Sequence, residues 1–201
     1  MLTATSPLAS SLLQAPIRNA QRRQLAAHRR SRSLALGPAM WLQFEDELTL
    51  EHQIDEVLRA EGDASLAARE RERAVYAHLR PDGRHWMATL LIGLPDADER
   101  VRDLPMLNAA AHRLYVQVPR LPRVYAQANE DLPDRHLHRL SAVHFLRFEF
   151  PAPLRVALLA GADAAIGCEH DQYAWRRAIP MVLLEQLRCD LAFSSSSTHA
   201  R

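Results

Sequence analysis

The sequence predicts an α+β fold: a single domain on an antiparallel or mixed sheet, with helices between and after the strand pairs. Three observations carry this. Segments with period-two alternation come in adjacent pairs joined by short turns, segments with helical spacing lie between and after those pairs, and the regular strand–helix alternation of a parallel doubly wound sheet is missing. At 201 residues and 48% hydrophobic content the chain has the size of one core. The expected organisation is a disordered tail over 1–15, a domain over 16–191 and a second tail over 192–201.

The first 44 residues hold six arginines (Arg18, Arg22, Arg23, Arg29, Arg30, Arg32) and no acid, which leaves 19 arginines against 24 acids in the rest. Such a start fits an organelle transit peptide or a phosphate-contacting arm. The preferred reading is a surface helix over Ile17 to Arg30, with Ile17, Ala20, Gln24 and Ala27 facing inward. No aromatic residue is interleaved with these arginines, as a single-stranded nucleic-acid surface would need.

Leu34 to Leu36 and Met40 to Phe44 read as a hairpin about Gly37-Pro38. Thr49 is the expected N-cap of a helix whose inner stripe is Leu50, Ile54, Val57 and Leu58 and which ends near Gly62. Leu66 to Leu79 reads as a second helix, with Arg69-Glu70-Arg71-Glu72-Arg73 as its solvated face. After the turn Pro81-Asp82-Gly83, Trp86, Ala88, Leu90, Ile92 and Leu94 alternate with His85, Met87, Thr89 and Leu91 in a strand apolar enough to be central. Asp96 and Glu99 open a helical region that Pro105 is expected to split before His112.

Leu114 to Val118 and Arg123 to Ala126 form a second predicted strand pair. Asn129 to Arg139 is a polar loop with His136 and His138, and the longest strand follows at Ser141 to Phe150. Pro151 and Pro153 open a helix to about Ala160, Ala164 to Glu169 is a short strand, and Pro180 begins a last helix over Met181 to Leu191.

Several chemistries are excluded by residue type. All 25 basic side chains counted as Lys or Arg are arginine, so no lysine mechanism is open. The six glycines, at 37, 62, 83, 93, 161 and 167, spell neither a dinucleotide turn nor a phosphate loop. Two cysteines, Cys168 and Cys189, cannot ligate a four-thiolate cluster within one chain, and they suggest a reducing, cytoplasmic setting. Arg, Asp or Glu interrupts every apolar run before about 18 residues, so no membrane span is expected.

What remains as chemistry is imidazole and carboxylate around the long strand. Asp131, His144, Glu149 and His170 are the candidate metal ligands, since these donors suit zinc, iron or manganese. His144 and Glu149 lie an odd number apart, so a flat strand sends them to opposite faces unless a bulge intervenes. His144 among apolar neighbours also reads as a hydrogen-bonded core residue. Arg147 beside Glu149 reads as a surface ion pair or an anion contact. Cys168, next to Glu169, is poorly placed to become a thiolate.

Phe44-Glu45-Asp46, Gln53-Ile54 with Glu56, Pro81-Asp82-Gly83, Asp131 and the run Ser141-Ala-Val-His-Phe-Leu-Arg-Phe-Glu149 resemble an uncharacterised bacterial family, domain-of-unknown-function family 3501. His170-x-x-Tyr173 adds to the likeness, which spans about Arg23 to Leu191. His28-Arg-Arg-Ser-Arg32 followed by Leu34-Ala-Leu-Gly-Pro38 resembles that family's beginning, which argues that the basic segment is folded. The chain departs from the family pattern at Gly93 and at Arg139-Leu140.

The resemblance implies a redox or peroxide-stress setting with rubrerythrin-like or iron–sulfur oxidoreductase partners. The leading expectation is therefore an accessory or binding protein of such a module. A metal-binding protein or metal-dependent enzyme using the His/carboxylate set is the alternative, and nucleic-acid contact through the basic N-terminal helix is the weakest reading.

Overall fold

The computed structural model describes residue 20, residues 22–128 and residues 140–192. A helix over residues 22–31, α1, leads into a hairpin of β1 (Ser33–Leu36) and β2 (Met40–Phe44). Helices α2 (Glu47–Glu61) and α3 (Leu66–Val75) and a 3-10 turn at Ala77–Leu79 precede β3 (His85–Ile92) and α4 (Ala97–Ala111). Then come β4 (Leu114–Gln117), β5 (Val124–Tyr125), β6 (Gln127–Ala128), β7 (Val143–Glu149), α5 (Ala152–Leu159), β8 (Ala165–Cys168), β9 (Arg176–Ala178) and α6 (Met181–Ala192).

The fold is α+β, and every pairing is antiparallel. The strands divide into two sheets, ordered β1-β2-β3-β7-β6 and β5-β4-β8-β9. The expected strand Arg123 to Ala126 is where they part. Val124–Tyr125 pairs with β4, whereas Gln127–Ala128, two residues on, pairs with β7 of the other sheet. One apolar cluster joins the sheets: Leu42, Trp86, Leu90, Leu146 and Phe148 meet Leu107 of α4, Ile166 of β8 and Leu187 of α6.

Several boundaries differ from the sequence expectation, each for a local reason. The N-cap of α2 is Asp46. Its side chain accepts from Thr49 N at 2.9 Å while Thr49 Oγ1 accepts from Asp46 N at 2.9 Å, so Thr49 is the third helical residue of a reciprocal capping box. The helix from Leu66 stops at Val75, because Arg80 before Pro81 is extended and Leu79 is drawn under α2 against Met87. Pro105 lies inside one continuous helix. The carbonyl it deprives of a donor belongs to Val101, which is 81% exposed and can turn to water. β9 is wholly exposed and reads Arg-Arg-Ala, with no apolar alternation to announce it.

From residue 22 on, the basic start is part of the fold; Ile17 and Arg18, like residues 1–15 and 193–201 of the expected tails, lie outside the described residues. Arg32 is buried, donating to the carbonyls of Phe44 (3.1 Å) and Glu45 (3.2 Å) and pairing with Asp190 of α6 at 2.5 Å. His28 reaches Asp46 at 2.7 Å, so α1 is tied to the start of α2. At the hairpin, Gly37 has φ +69°, and a Cβ there would lie 2.7 Å from the Tyr173 hydroxyl. That hydroxyl donates to Leu36 O at 2.6 Å and accepts from Ala39 N at 3.1 Å, fastening the β8–β9 link to the β1–β2 turn.

Candidate ligand site on the outer sheet face

The two faces of the five-stranded sheet follow from period-two alternation. Leu42, Phe44, Trp86, Ala88, Leu90, His144, Leu146 and Phe148 face inward and are buried. Trp41, Thr89, Leu91, Val143, Phe145, Arg147 and Glu149 face outward. Along β3 the outward residues His85 and Met87 are buried, Thr89 is half-buried and Leu91 is exposed. Among the described residues the outer face is therefore covered at one end and bare at the other. The cover is α2 and the 3-10 turn, whose Leu50 and Leu79 pack on Met87.

The predicted ligand set divides accordingly. The β3–β7 register runs unbroken from His85↔Glu149 to Leu91↔Val143, so no bulge brings His144 and Glu149 to one side. His144 Nε2 lies 3.0 Å from Ser141 O and 3.2 Å from Asn108 Nδ2, and the ring meets His112 edge-on at 6.0 Å between centroids. His170 follows β8 on the other sheet, half-buried, with its Nδ1 accepting from Gln172 N at 3.4 Å. Asp131, with His136 and His138, lies outside the described residues. Among the described residues no group of three or more His, Cys, Asp or Glu is arranged to hold a metal.

Glu149 does belong to a His/carboxylate cluster, with a different histidine. Its cross-strand partner His85 is only 2% exposed, and His85 Nδ1 lies 2.7 Å from Asp82 Oδ1. That contact is a close approach of ring and carboxylate rather than a well-aligned hydrogen bond, and neither ring nitrogen has a hydrogen-bond partner among the described residues. Arg147 stands 3.9 Å from Asp82 and 3.4 Å from Glu149. Burial, reinforced by the Arg147 charge, holds the His85 imidazole below the usual histidine range. Burial opposes ionisation of Asp82, but the Arg84 N–H, His85 and Arg147 together bring it below the usual carboxylate range. Asp82-x-x-His85, a carboxylate in a turn and an imidazole at the next strand's start, is the sequence signal that could have found this pair.

Between cover and bare end lies a pocket of about 60 Å³. Leu50, Leu79, Met87 and Phe145 give it an apolar lining, and Glu45, Gln53, Tyr76 and Thr89 supply its polar groups. Thr89 Oγ1 donates to Glu45 Oε1 at 2.6 Å. Glu45 is held by strand pairing continued one residue past β2, its N–H donating to Met87 O at 2.9 Å. The pairing of Glu45 with Thr89 depends on the β2–β3 register, and Tyr76 follows a helix end, so neither is visible in local sequence.

Beyond the pocket, Trp41, Leu91, Val143 and Phe145 are each between 37% and 44% exposed. Trp41↔Leu91 and Leu91↔Val143 are register partners, so these side chains form a continuous apolar strip across three strands. Trp41 lies over Gly93, where a Cβ would come within 2.7 Å of its ring. The departure at Gly93 thus makes room for this tryptophan.

Cys168 behaves as core. Its Sγ donates to Ala110 O at 3.2 Å, and burial pushes the thiol up to about 11. The direction matches the sequence expectation, but burial is the cause; Glu169 is engaged with Arg123 at 2.6 Å.

The model of the family described as "Protein of unknown function (DUF3501)" matches residues 8–191. A crystal structure of a novel protein of unknown function from Burkholderia pseudomallei K96243 superposes with a TM-score of 0.80 at 34% identity, covering 88% of this chain and 92% of that one. No curated protein matches.

Proposed function

We propose that this chain, which belongs to the DUF3501 family, is an accessory binding protein of a redox or peroxide-stress module, and that it recognises its partner through the outer face of the five-stranded sheet. The observation that carries the reading is the apolar strip of Trp41, Leu91, Val143 and Phe145. Three large apolar side chains in register, with Phe145 on the adjacent row of the same sheet face, are costly to leave in water and are the usual mark of an interaction surface. The redox setting rests on the family resemblance, which implies a rubrerythrin-like or iron–sulfur oxidoreductase partner. An accessory role is compatible with Cys168, whose thiol is held protonated in the core.

The test uses the purified chain and a purified rubrerythrin-like or iron–sulfur oxidoreductase from the same cell. Direct association is expected, and a Trp41→Ser, Val143→Ser double variant should lose it while melting within a few degrees of the parent. Absence of association between the purified components, or association undiminished by the double substitution, overturns the reading.

A further inference from the structure

We infer that the pocket beside Phe145 is a site for a ligand with an ammonium or guanidinium head on a short apolar stem, with Glu45 as the counter-charge. The inference goes beyond the docking role and is tested without any partner.

The pocket's polar and apolar groups divide the ligand between them. Leu50, Leu79, Met87 and Phe145 offer a hydrocarbon lining, and a cavity of about 60 Å³ holds the equivalent of roughly four or five waters, the size of a four-carbon stem. Glu45 is the one ionisable carboxylate in the lining. One of its oxygens accepts from Thr89, and among the described residues no guanidinium or imidazole lies within ion-pair distance of either oxygen. The nearby cations are engaged elsewhere. Arg80 pairs with Glu51 at 2.9 Å and Glu47 at 3.2 Å, Arg147 faces Glu149 and Asp82, and Arg32 spends its guanidinium on Asp190 and on backbone carbonyls, including that of Glu45. A carboxylate in a half-apolar recess without its own cation favours a cationic ligand over a neutral one and repels an anionic one. Gln53 and Tyr76 add polar atoms at the rim for a head that donates several hydrogen bonds.

The experiment is a chemical-shift titration of the full chain at low salt with n-butylammonium, n-butanol and n-butyrate. Butylammonium should bind at about millimolar strength or better, tenfold or more tighter than butanol, with shifts centred on Thr89 and Phe145. Butyrate should not bind. Glu45→Gln, which keeps an acceptor for Thr89, should abolish the preference for amine over alcohol, whereas Phe145→Ala should weaken both ligands alike. A capped tripeptide with a central lysine separates two sources of the same chemistry: binding as tight as butylammonium assigns a partner's side chain, and binding tenfold weaker assigns a free amine. Butanol within twofold of butylammonium, shifts elsewhere on the molecule, or a Glu45→Gln protein with unchanged preference overturns the inference. The ligand series on the unsubstituted chain decides the matter even if a variant fails to fold.

Discussion

The two faces of the five-stranded sheet are built from alternate residues of the same strands and have opposite fates. On the inner face Phe44, Trp86, Leu146 and Phe148 are buried against α4, α6 and the second sheet, and Trp86 is fixed by an Nε1–H donated to Leu187 O at 2.9 Å and by Phe150 at 4.6 Å. On the outer face the same strands carry Trp41, Leu91 and Val143, with helix cover at only one end. Residue type does not distinguish them, since a tryptophan stands on each. What differs is whether the surrounding structure completes the packing. The completed face holds the fold together, and the incomplete one is the surface the proposed partner would cover.

The largest expected effect tests that contrast directly. Trp86→Ala should cost about 3–5 kcal/mol, from lost burial, the cavity and the lost hydrogen bond to Leu187 O. Trp41→Ala should cost clearly less, about 1 kcal/mol, because the ring is 39% exposed, makes no hydrogen bond among the described residues and leaves no enclosed cavity when removed. Paired urea denaturation curves measure both, and equal losses would break the distinction between the faces.

A smaller effect separates the two histidines of this sheet. His144 lies on the inner face, between Asn108 and Ser141 O, so His144→Ala should cost about 1–3 kcal/mol through loss of packing and a displaced hydrogen bond. Metal content, measured on protein purified without a histidine tag, should be the same in parent and variant. A stoichiometric metal lost on substitution would show that His144 is a ligand.

These contrasts also mark what could be read from the sequence. The fold class, the hairpin at Gly37-Pro38, the central strand and the long strand were legible because alternation and turn residues are local signals. The division into two sheets was not, since it depends on Ala126 letting the chain pass from β4 to β7. The opposite facing of His144 and Glu149 followed from counting residues, and the unbroken register bears it out. That Glu149 would instead meet His85 and Asp82, and Glu45 meet Thr89, required the strand order β2-β3-β7, which no local pattern encodes.

The smallest effect concerns the covered end of the outer face. The His85 imidazole is held below its ordinary value by burial and by Arg147, so the unfolded chain takes up a proton there more readily than the folded one. Its contribution to stability is thus complete above about pH 6.5 and is lost as pH falls through and below that value. Asp190 acts in the opposite direction. Burial pushes it up to about 6 against the pull of Arg32, so its contribution is present at low pH and is lost as pH rises through 6. The overall pH slope mixes the two, but the difference between the parent and His85→Gln isolates the imidazole. Between pH 7.5 and 5.5 the parent should lose more stability than the variant, measured by urea denaturation at each pH. Parallel profiles would mean that His85 is as free to protonate in the folded chain as in the unfolded one. The packing of Leu50 and Leu79 would then not seal that end of the sheet, and the graded cover that sets the pocket between a closed and an open half would fail with it.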